Sequence, residues 1–380
     1  MSINLQDRSA GPVTAIQTAS GADSGNSRRE RLARACHGLG LLGTLERLRS
    51  MLRRDVRILA YHRVLDVDPT GPGFDFDAEL VSASVEQFRE QMRWLRAKFR
   101  PIGFAGLLRH VREGRDPPPR TALVTFDDGY DDNFHLAWPV LAELGVPATF
   151  FVSTGHIDSG LPYAYDWLVH MLLRAPAPRL ELPQVRIHCH MPRDRQGRRA
   201  LAARVLAGLK RLDDAAQGEL ISGLERAWGM PRRPHPQCRP MTWDQLRVMQ
   251  AGGMEVGSHG VGHRMLAKLP PARMAAEIHG SMAALRRELG DAERVISYPV
   301  GGWDAFDDAV IGQARGAGFV MGCSYLSGTS PLSHDTLYAL RRLHVERQTG
   351  RAEFRAMLAA PEVFGHPSRM PPTAGVQVAR

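Results

Sequence analysis

The stretch Leu123-Val124-Thr125-Phe126-Asp127-Asp128-Gly129-Tyr130 decides how the rest of the chain is read. Ala122 to Phe126 is an apolar run of strand length, and it ends abruptly in two carboxylates and a glycine. Aspartate is a poor strand former. Two adjacent aspartates repel each other and resist desolvation unless a cation lies between or beside them. A strand followed by an ordinary Asp-Gly turn is the plainer reading, and it stands unless the chain supplies a partner for the carboxylates.

Gly257-Ser258-His259-Gly260-Val261-Gly262-His263 supplies one, again directly after an apolar run, Met254 to Val256. Two histidines four apart can lie on one side of a turn and converge on one ion. One aspartate added to them gives three protein ligands and leaves a position for water, the arrangement of a catalytic metal site. A histidine pair alone means little. Paired aspartates and paired histidines, each at a strand end, mean much more together.

At these residues the sequence resembles a known family. Thr125 to Tyr130 and Ser258 to His263 are similar to the first two motifs of the polysaccharide deacetylases, the NodB-homology family (carbohydrate esterase family 4), and Ile296-Ser297-Tyr298-Pro299-Val300-Gly301 resembles the third. The likeness runs in order from about Arg57 to about Leu358. It implies a distorted (β/α) barrel, TIM-like with about seven strands, a divalent metal, and hydrolysis of N-acetyl groups on the amino sugars of a polysaccharide or lipid-linked glycan. Zinc is the expected ion, with cobalt or nickel able to substitute.

The resemblance assigns roles residue by residue. Asp128 binds the metal with His259 and His263, and Asp127 is the base. The division is physically sensible, because a metal keeps one carboxylate ionised while its neighbour stays free to accept a proton. The third motif departs from the usual form: Ser297 stands where many members carry an arginine that braces the base. Val300 replaces a tyrosine, but that position acts through its backbone N–H on the oxyanion. Arg342, in Leu340-Arg341-Arg342-Leu343-His344-Val345, is either the substitute brace or a surface arginine pairing any acid. The family's last motif, Leu-x-His, supplies the acid. No clean copy occurs late in the chain, where His334 falls in a loop and His344 within a strand. Ile58-Leu59-Ala60-Tyr61-His62 looks like that motif moved to the front, so His62 is the expected acid and His344 the alternative; imidazoles titrate near neutrality and suit the task. Tyr130, Tyr298 and Trp303 are the expected substrate contacts, with Trp303 as the floor under a sugar ring.

The surrounding pattern argues for the same fold independently. Residues 1–27 are rich in Ser, Gly, Ala and Thr and read as a disordered tail. Residues 28–55 read as a basic helix carrying Leu32, Leu39, Leu42, Leu45 and Leu48. From 56 to 360, strands and helices alternate as expected of parallel strands with crossover helices, interrupted by an insertion at 158–240 with helices at Arg199–Leu212 and Ala216–Ala227. The tail 361–380 reads as unstructured. In such barrels the chemistry sits at the C-terminal strand ends. His62, Asp127, Asp128, His259, His263, Val300 and Arg342 all fall at or just after expected strand ends.

Composition narrows the remaining classes. The chain has 380 residues, 43% of them hydrophobic, and a formal charge of +9. No nucleic-acid motif accompanies the charge. Four cysteines without paired spacing fit a reducing compartment, and no apolar run is long enough to span a bilayer. The expected location is the cytoplasm, with the basic N-terminal helix either touching the inner face of the membrane or packing on the domain. Two rivals remain from the motifs alone: a deacylase of another amide, such as a formamido sugar or natural product, and a sugar-binding pseudoenzyme. Intact Asp127 and His62 weigh against the second, since a binder needs neither.

Overall fold

The computed structural model describes residues 21–53, 55–290, 292–333 and 336–366. Seven parallel strands form the barrel: β1 (Arg57–Tyr61), β2 (Thr121–Phe126), β3 (Thr149–Val152), β4 (Glu255–Ser258), β5 (Val295–Ser297), β6 (Met321–Ser327) and β7 (Leu340–His344). They pair in chain order, and β1 closes the ring between its first and last neighbours. Leu59 of β1 is in register with Leu343 of β7 on one side and Val124 of β2 on the other. A short outer strand, Arg100–Pro101, adds to β2. β1 to β3 are buried along their whole length, which is why they read as unbroken apolar runs and not as alternating ones.

The crossover helices begin and end where their sequence dictates. Ser84 accepts from the Gln87 N–H at the start of Val85–Lys98, and Thr242 forms a full capping box with Gln245 before Trp243–Ala251. Pro271–Leu289 and Asp308–Ala317 cover the outside of β4 to β6, and Arg351–Ala359 follows β7. Phe88, Met92 and Leu95 pack with Phe126 and Phe150 in one continuous core.

Both ends of the chain differ from the expected pattern. The N-terminal segment is two helices, Gly21–Gly38 and Leu41–Leu52, broken where Gly40 takes φ 70°. The first begins inside the segment expected to be disordered. At the other end, Pro361–Phe364 forms a helical turn and Phe364 is buried. Residues 1–20 and 367–380, the rest of the two expected tails, lie outside the described residues. Among those described, no helix is long and apolar enough to cross a membrane, and all four cysteines are free.

The insertion between β3 and β4 builds its own core from helices Ala164–Arg174, Arg195–Leu209 and Asp214–Trp228 and an antiparallel hairpin, Arg179–Leu182 with Ile187–His190. The first helix is missed by the sequence reading, and the structure buries it from Asp166 to Leu173. Asp166 ties this unit to the barrel: Tyr130 Oη donates to its carboxylate at 2.7 Å, and Cys238 Sγ at 3.2 Å. Burial pushes the Asp166 carboxyl up to about 7 against those two hydrogen bonds and the nearby Arg63 charge. A carboxyl raised in the folded state binds its proton more tightly there than in the unfolded chain. Stability therefore falls as pH rises from about 4 to about 7. Asp166→Asn should flatten that part of the curve of unfolding free energy against pH; an unchanged slope would show that Asp166 is ionised without cost.

Candidate active site

β2 delivers two aspartates to one place by breaking its own alternation. A regular strand would send Asp127 and Asp128 to opposite faces. Asp128 instead takes φ 74° and Gly129 φ 77°, so the backbone turns sharply at the strand end. A left-handed aspartate is a local strain retained only where the surroundings fix it. Here Tyr163 Oη donates to the Asp128 carbonyl at 2.7 Å, and a Cβ on Gly129 would come within 2.9 Å of Val152.

Asp128, His259 and His263 converge. Asp128 Oδ1 lies 3.4 Å from His259 Nε2 and 3.2 Å from His263 Nε2. Tetrahedral ligands each about 2.1 Å from a zinc ion stand about 3.4 Å apart, so the spacing fits one ion held by all three. The tautomer fits as well. His259 Nδ1 is 2.7 Å from the Ser297 carbonyl, which directs Nε2 to the centre. His263 takes φ 55° to reach the same point. This is the group of side chains among the described residues with metal-ligating geometry. Burial opposes the charge on Asp128, but bonds to both imidazoles outweigh it and hold the carboxyl well below its usual range.

Asp127 meets a different partner. Arg342 of β7 grips it bidentately, Nη1 to Oδ1 at 2.8 Å and Nη2 to Oδ2 at 2.7 Å. The same guanidinium donates to Ser297 Oγ at 2.9 Å, to the Ser324 carbonyl at 2.9 Å and to Thr125 Oγ1 at 3.3 Å. Both side chains are essentially inaccessible to solvent. Burial works against an ionised Asp127; the Arg342 charge overcomes it, with His259 and His62 adding to the effect, and the carboxyl is held below its ordinary value. Arg342 thus occupies the space that the small Ser297 leaves open. Val300 sits at φ 63°, rare for a β-branched residue, on a loop pinned by the bond from the Tyr325 N–H to the Gly301 carbonyl at 2.8 Å.

Asp127, Asp128, His259, His263, Val300 and His62 line one cavity of about 500 Å³. His62 lies at the end of β1, its backbone N–H donating to Ser82 Oγ at 3.0 Å and its ring 5.4 Å from that of Tyr325. It stands outside the ligand cluster. His344 does not line the cavity: its ring stacks behind Tyr325 at 3.6 Å, and burial pushes its pKa down to about 3. His334 lies outside the described residues.

The three aromatic expectations need correction. Tyr130 is fully buried with its hydroxyl committed to Asp166, so it supports the insertion and touches no substrate. Tyr298 borders the cavity, but its ring stacks on Phe306 and its hydroxyl donates to the Tyr338 carbonyl at 2.9 Å, away from the opening. Trp303 lines a separate cavity beneath Arg341, because the chain turns away at Gly301 (φ 56°). The aromatic wall comes instead from the insertion. Tyr163 and Tyr165 stack at 5.2 Å and stand 5.0 and 5.1 Å from the His263 ring, with His156 stacked on Tyr163 at 3.8 Å. The Tyr165 hydroxyl is buried without a partner. Two tyrosines two residues apart, close after a barrel strand, were the available signal.

Arg342→Met should cost about 3–5 kcal/mol in denaturant unfolding, because it strands a buried carboxylate. Adding Asp127→Asn should recover most of that loss. A cost near the ~0.5 kcal/mol of a surface substitution would show that the pair carries no structural weight.

Comparison with known proteins follows the same residues. A sequence model of the family described as polysaccharide deacetylase matches residues 114–322, more than half of the chain. YxkH of Bacillus subtilis, which carries a polysaccharide deacetylase name, is 20% identical over 277 residues, covering 72% of this chain and 69% of its own. The poly-beta-1,6-N-acetyl-D-glucosamine N-deacetylase of Staphylococcus epidermidis is 32% identical over 109 residues, 27% of this chain and 37% of its own. Among solved structures, the Streptococcus pyogenes deacetylase PplD in complex with acetate superposes with a TM-score of 0.54 at 16% identity, covering 82% of this chain and 99% of its own. A polysaccharide deacetylase from Bacillus cereus gives 0.50 at 17%, covering 80% and 69%. These two likenesses establish the fold, and the family match establishes membership: the chain belongs to the polysaccharide deacetylase family and is a hydrolase of amide bonds.

Proposed function

We propose that this protein removes N-acetyl groups from amino sugars of a glycan, using one divalent metal ion, zinc by preference, held by Asp128, His259 and His263. The observation that carries the reading is the division of labour at the end of β2. One aspartate faces two imidazoles at coordination spacing, and its neighbour is held apart from them by a buried arginine. A site built only to bind sugar has no need of the second carboxylate. The Staphylococcus epidermidis relative, named for N-deacetylation of a poly-N-acetylglucosamine, supports the choice of substrate class.

Bound metal supplies a Lewis acid and lowers the pKa of water at the site. The chain's own groups do the rest. Asp127, oriented by Arg342 and kept ionised, accepts the proton of the attacking water at its carboxylate. The backbone N–H of Val300, on its strained loop, is placed to donate to the oxygen that gains charge. His62, at the end of the neighbouring strand β1, donates to the departing amine nitrogen. Tyr165, with its free hydroxyl beside His263, takes the substrate-contact role expected of Tyr130. Tyr163 and Tyr165 exclude water on that wall and offer flat faces to a sugar ring.

Release of acetate from N-acetylglucosamine oligomers by the metal-loaded protein is the direct test. Asp127→Asn should keep the metal and lose roughly 10²–10⁴-fold in turnover, whereas Asp128→Asn should lose the metal. Equal loss of metal in both variants would overturn the assignment. His62→Ala should retain metal and substrate affinity while turnover drops roughly 10²–10⁴-fold; unaltered turnover moves the acid elsewhere.

A further inference from the structure

The helix Leu41–Leu52 is inverted with respect to the fold it packs on. Leu41, Leu45, Leu48 and Leu52 recur at i, i+4, i+7 and i+11, a single stripe on a 3.6-residue helix. That stripe is the one solvent sees: the four leucines are 46%, 39%, 54% and 74% exposed, and Met51 beside them 78%. The side turned to the protein carries Leu42, Glu46 and Ser50 instead. Folding alone does not select this arrangement. A stripe of four leucines in water is an apolar face waiting for a partner.

The chemistry next to the stripe says which partner. Met51 also lines a cavity of about 650 Å³ whose other walls include Arg47, Lys98, Arg100 and Arg120. Arg120 is paired to Glu46 at 2.7 Å. Among the described residues no ion pair engages Arg47, Lys98 or Arg100, and all three are exposed. Leucines on one face and unpaired cations at its margin are what a helix lying in the headgroup layer of an anionic bilayer needs, apolar groups in the acyl boundary and basic groups at the phosphates.

We propose that the Leu41–Leu52 helix and the adjoining Arg47–Lys98–Arg100 cavity form a docking site for an anionic phospholipid surface. The stripe enters the bilayer interface, and the cavity receives lipid phosphate. The proposal stands apart from the deacetylase reading. The surface lies at the N-terminal ends of the strands, where Glu46 pairs with the residue before β2, while the catalytic cavity opens at the C-terminal ends.

The test is cosedimentation of the full chain with vesicles of phosphatidylcholine alone and of phosphatidylcholine mixed with phosphatidylglycerol. Binding should appear on the mixed vesicles and weaken with salt. Arg47→Glu/Lys98→Glu/Arg100→Glu, all exposed and hence safe for folding, should weaken binding roughly a hundredfold or more, from about 1 kcal/mol per basic residue lost. Leu45→Glu/Leu48→Glu should abolish binding while leaving the melting temperature and metal content unchanged. No binding to the mixed vesicles overturns the proposal, as does equal binding to both kinds. A dimer in sedimentation equilibrium that Leu45→Glu/Leu48→Glu dissolves, without vesicle binding, would assign the stripe to a second copy of the chain instead.

Discussion

Arg342, buried inside the barrel, is the constraint around which the site is arranged. A guanidinium and a carboxylate withdrawn from water together are tolerated only if nearly every donor and acceptor finds a partner. From β7, Arg342 finds partners on three other strands: Thr125 of β2 with Asp127 just after it, Ser297 of β5, and Ser324 of β6. The ion pair therefore fixes the relative position of strands far apart in sequence, and two of them, β2 and β5, lead into the candidate groups Asp127, Asp128 and Val300. Its rigidity is also what separates two adjacent, like-charged aspartates. With Asp127 committed to Arg342, Asp128 must turn the other way, and its left-handed backbone is the geometric record of that turn. The strain is stored where two jobs are divided.

Much of this was legible because the relevant signals are local. A buried strand reads as an apolar run, and a residue that ends it reads as belonging to the rim, so His62, Asp127, Asp128, His259, His263 and Val300 were found without knowledge of their neighbours. The ring closure of β1 between β7 and β2 followed from the likeness of Ile58 to His62 to a motif usually found at the other end of the barrel. Ser297 was informative by being small. Its size removes one cation from the site, and the buried Asp127 then demands another from elsewhere in the core.

What the sequence hid was direction and context. Tyr130, Tyr298 and Trp303 all lie within a few residues of the candidate site groups, yet Tyr130 and Trp303 leave the cavity and Tyr298 only borders it with its hydroxyl committed elsewhere, because a glycine or a strand end next to each redirects the chain. Adjacency in sequence does not fix which way a ring points. The insertion concealed itself differently. Ala164–Arg174 is buried from Asp166 to Leu173 against the insertion's own core, and the hairpin at Arg179–His190 is an antiparallel pair outside the alternation that marks the barrel. Yet that insertion supplies Tyr163 and Tyr165, the walls of the cavity.

The two ends of a parallel barrel are chemically unequal, and the proposed docking gives each a role in this chain. All strands run the same way, so every catalytic group collects at one mouth, while the opposite mouth is left to be closed by whatever precedes β1. The Leu41–Leu52 helix lies toward that end, held by Glu46 to Arg120 and by Arg49 to Asp55. A helix recruited only as a plug would bury its leucines against the barrel. This one buries Leu42, Glu46 and Ser50 and leaves Leu41, Leu45, Leu48 and Leu52 outside, the face that the proposed docking would cover. Docking by that face turns the catalytic mouth away from the bilayer. Of the two substrate forms the motifs allow, a glycan chain extending from the surface reaches such a mouth more readily than an amino sugar held by its lipid within the headgroup layer. The orientation implied by the proposed docking therefore bears on the choice of substrate, through a helix that touches none of the chemistry.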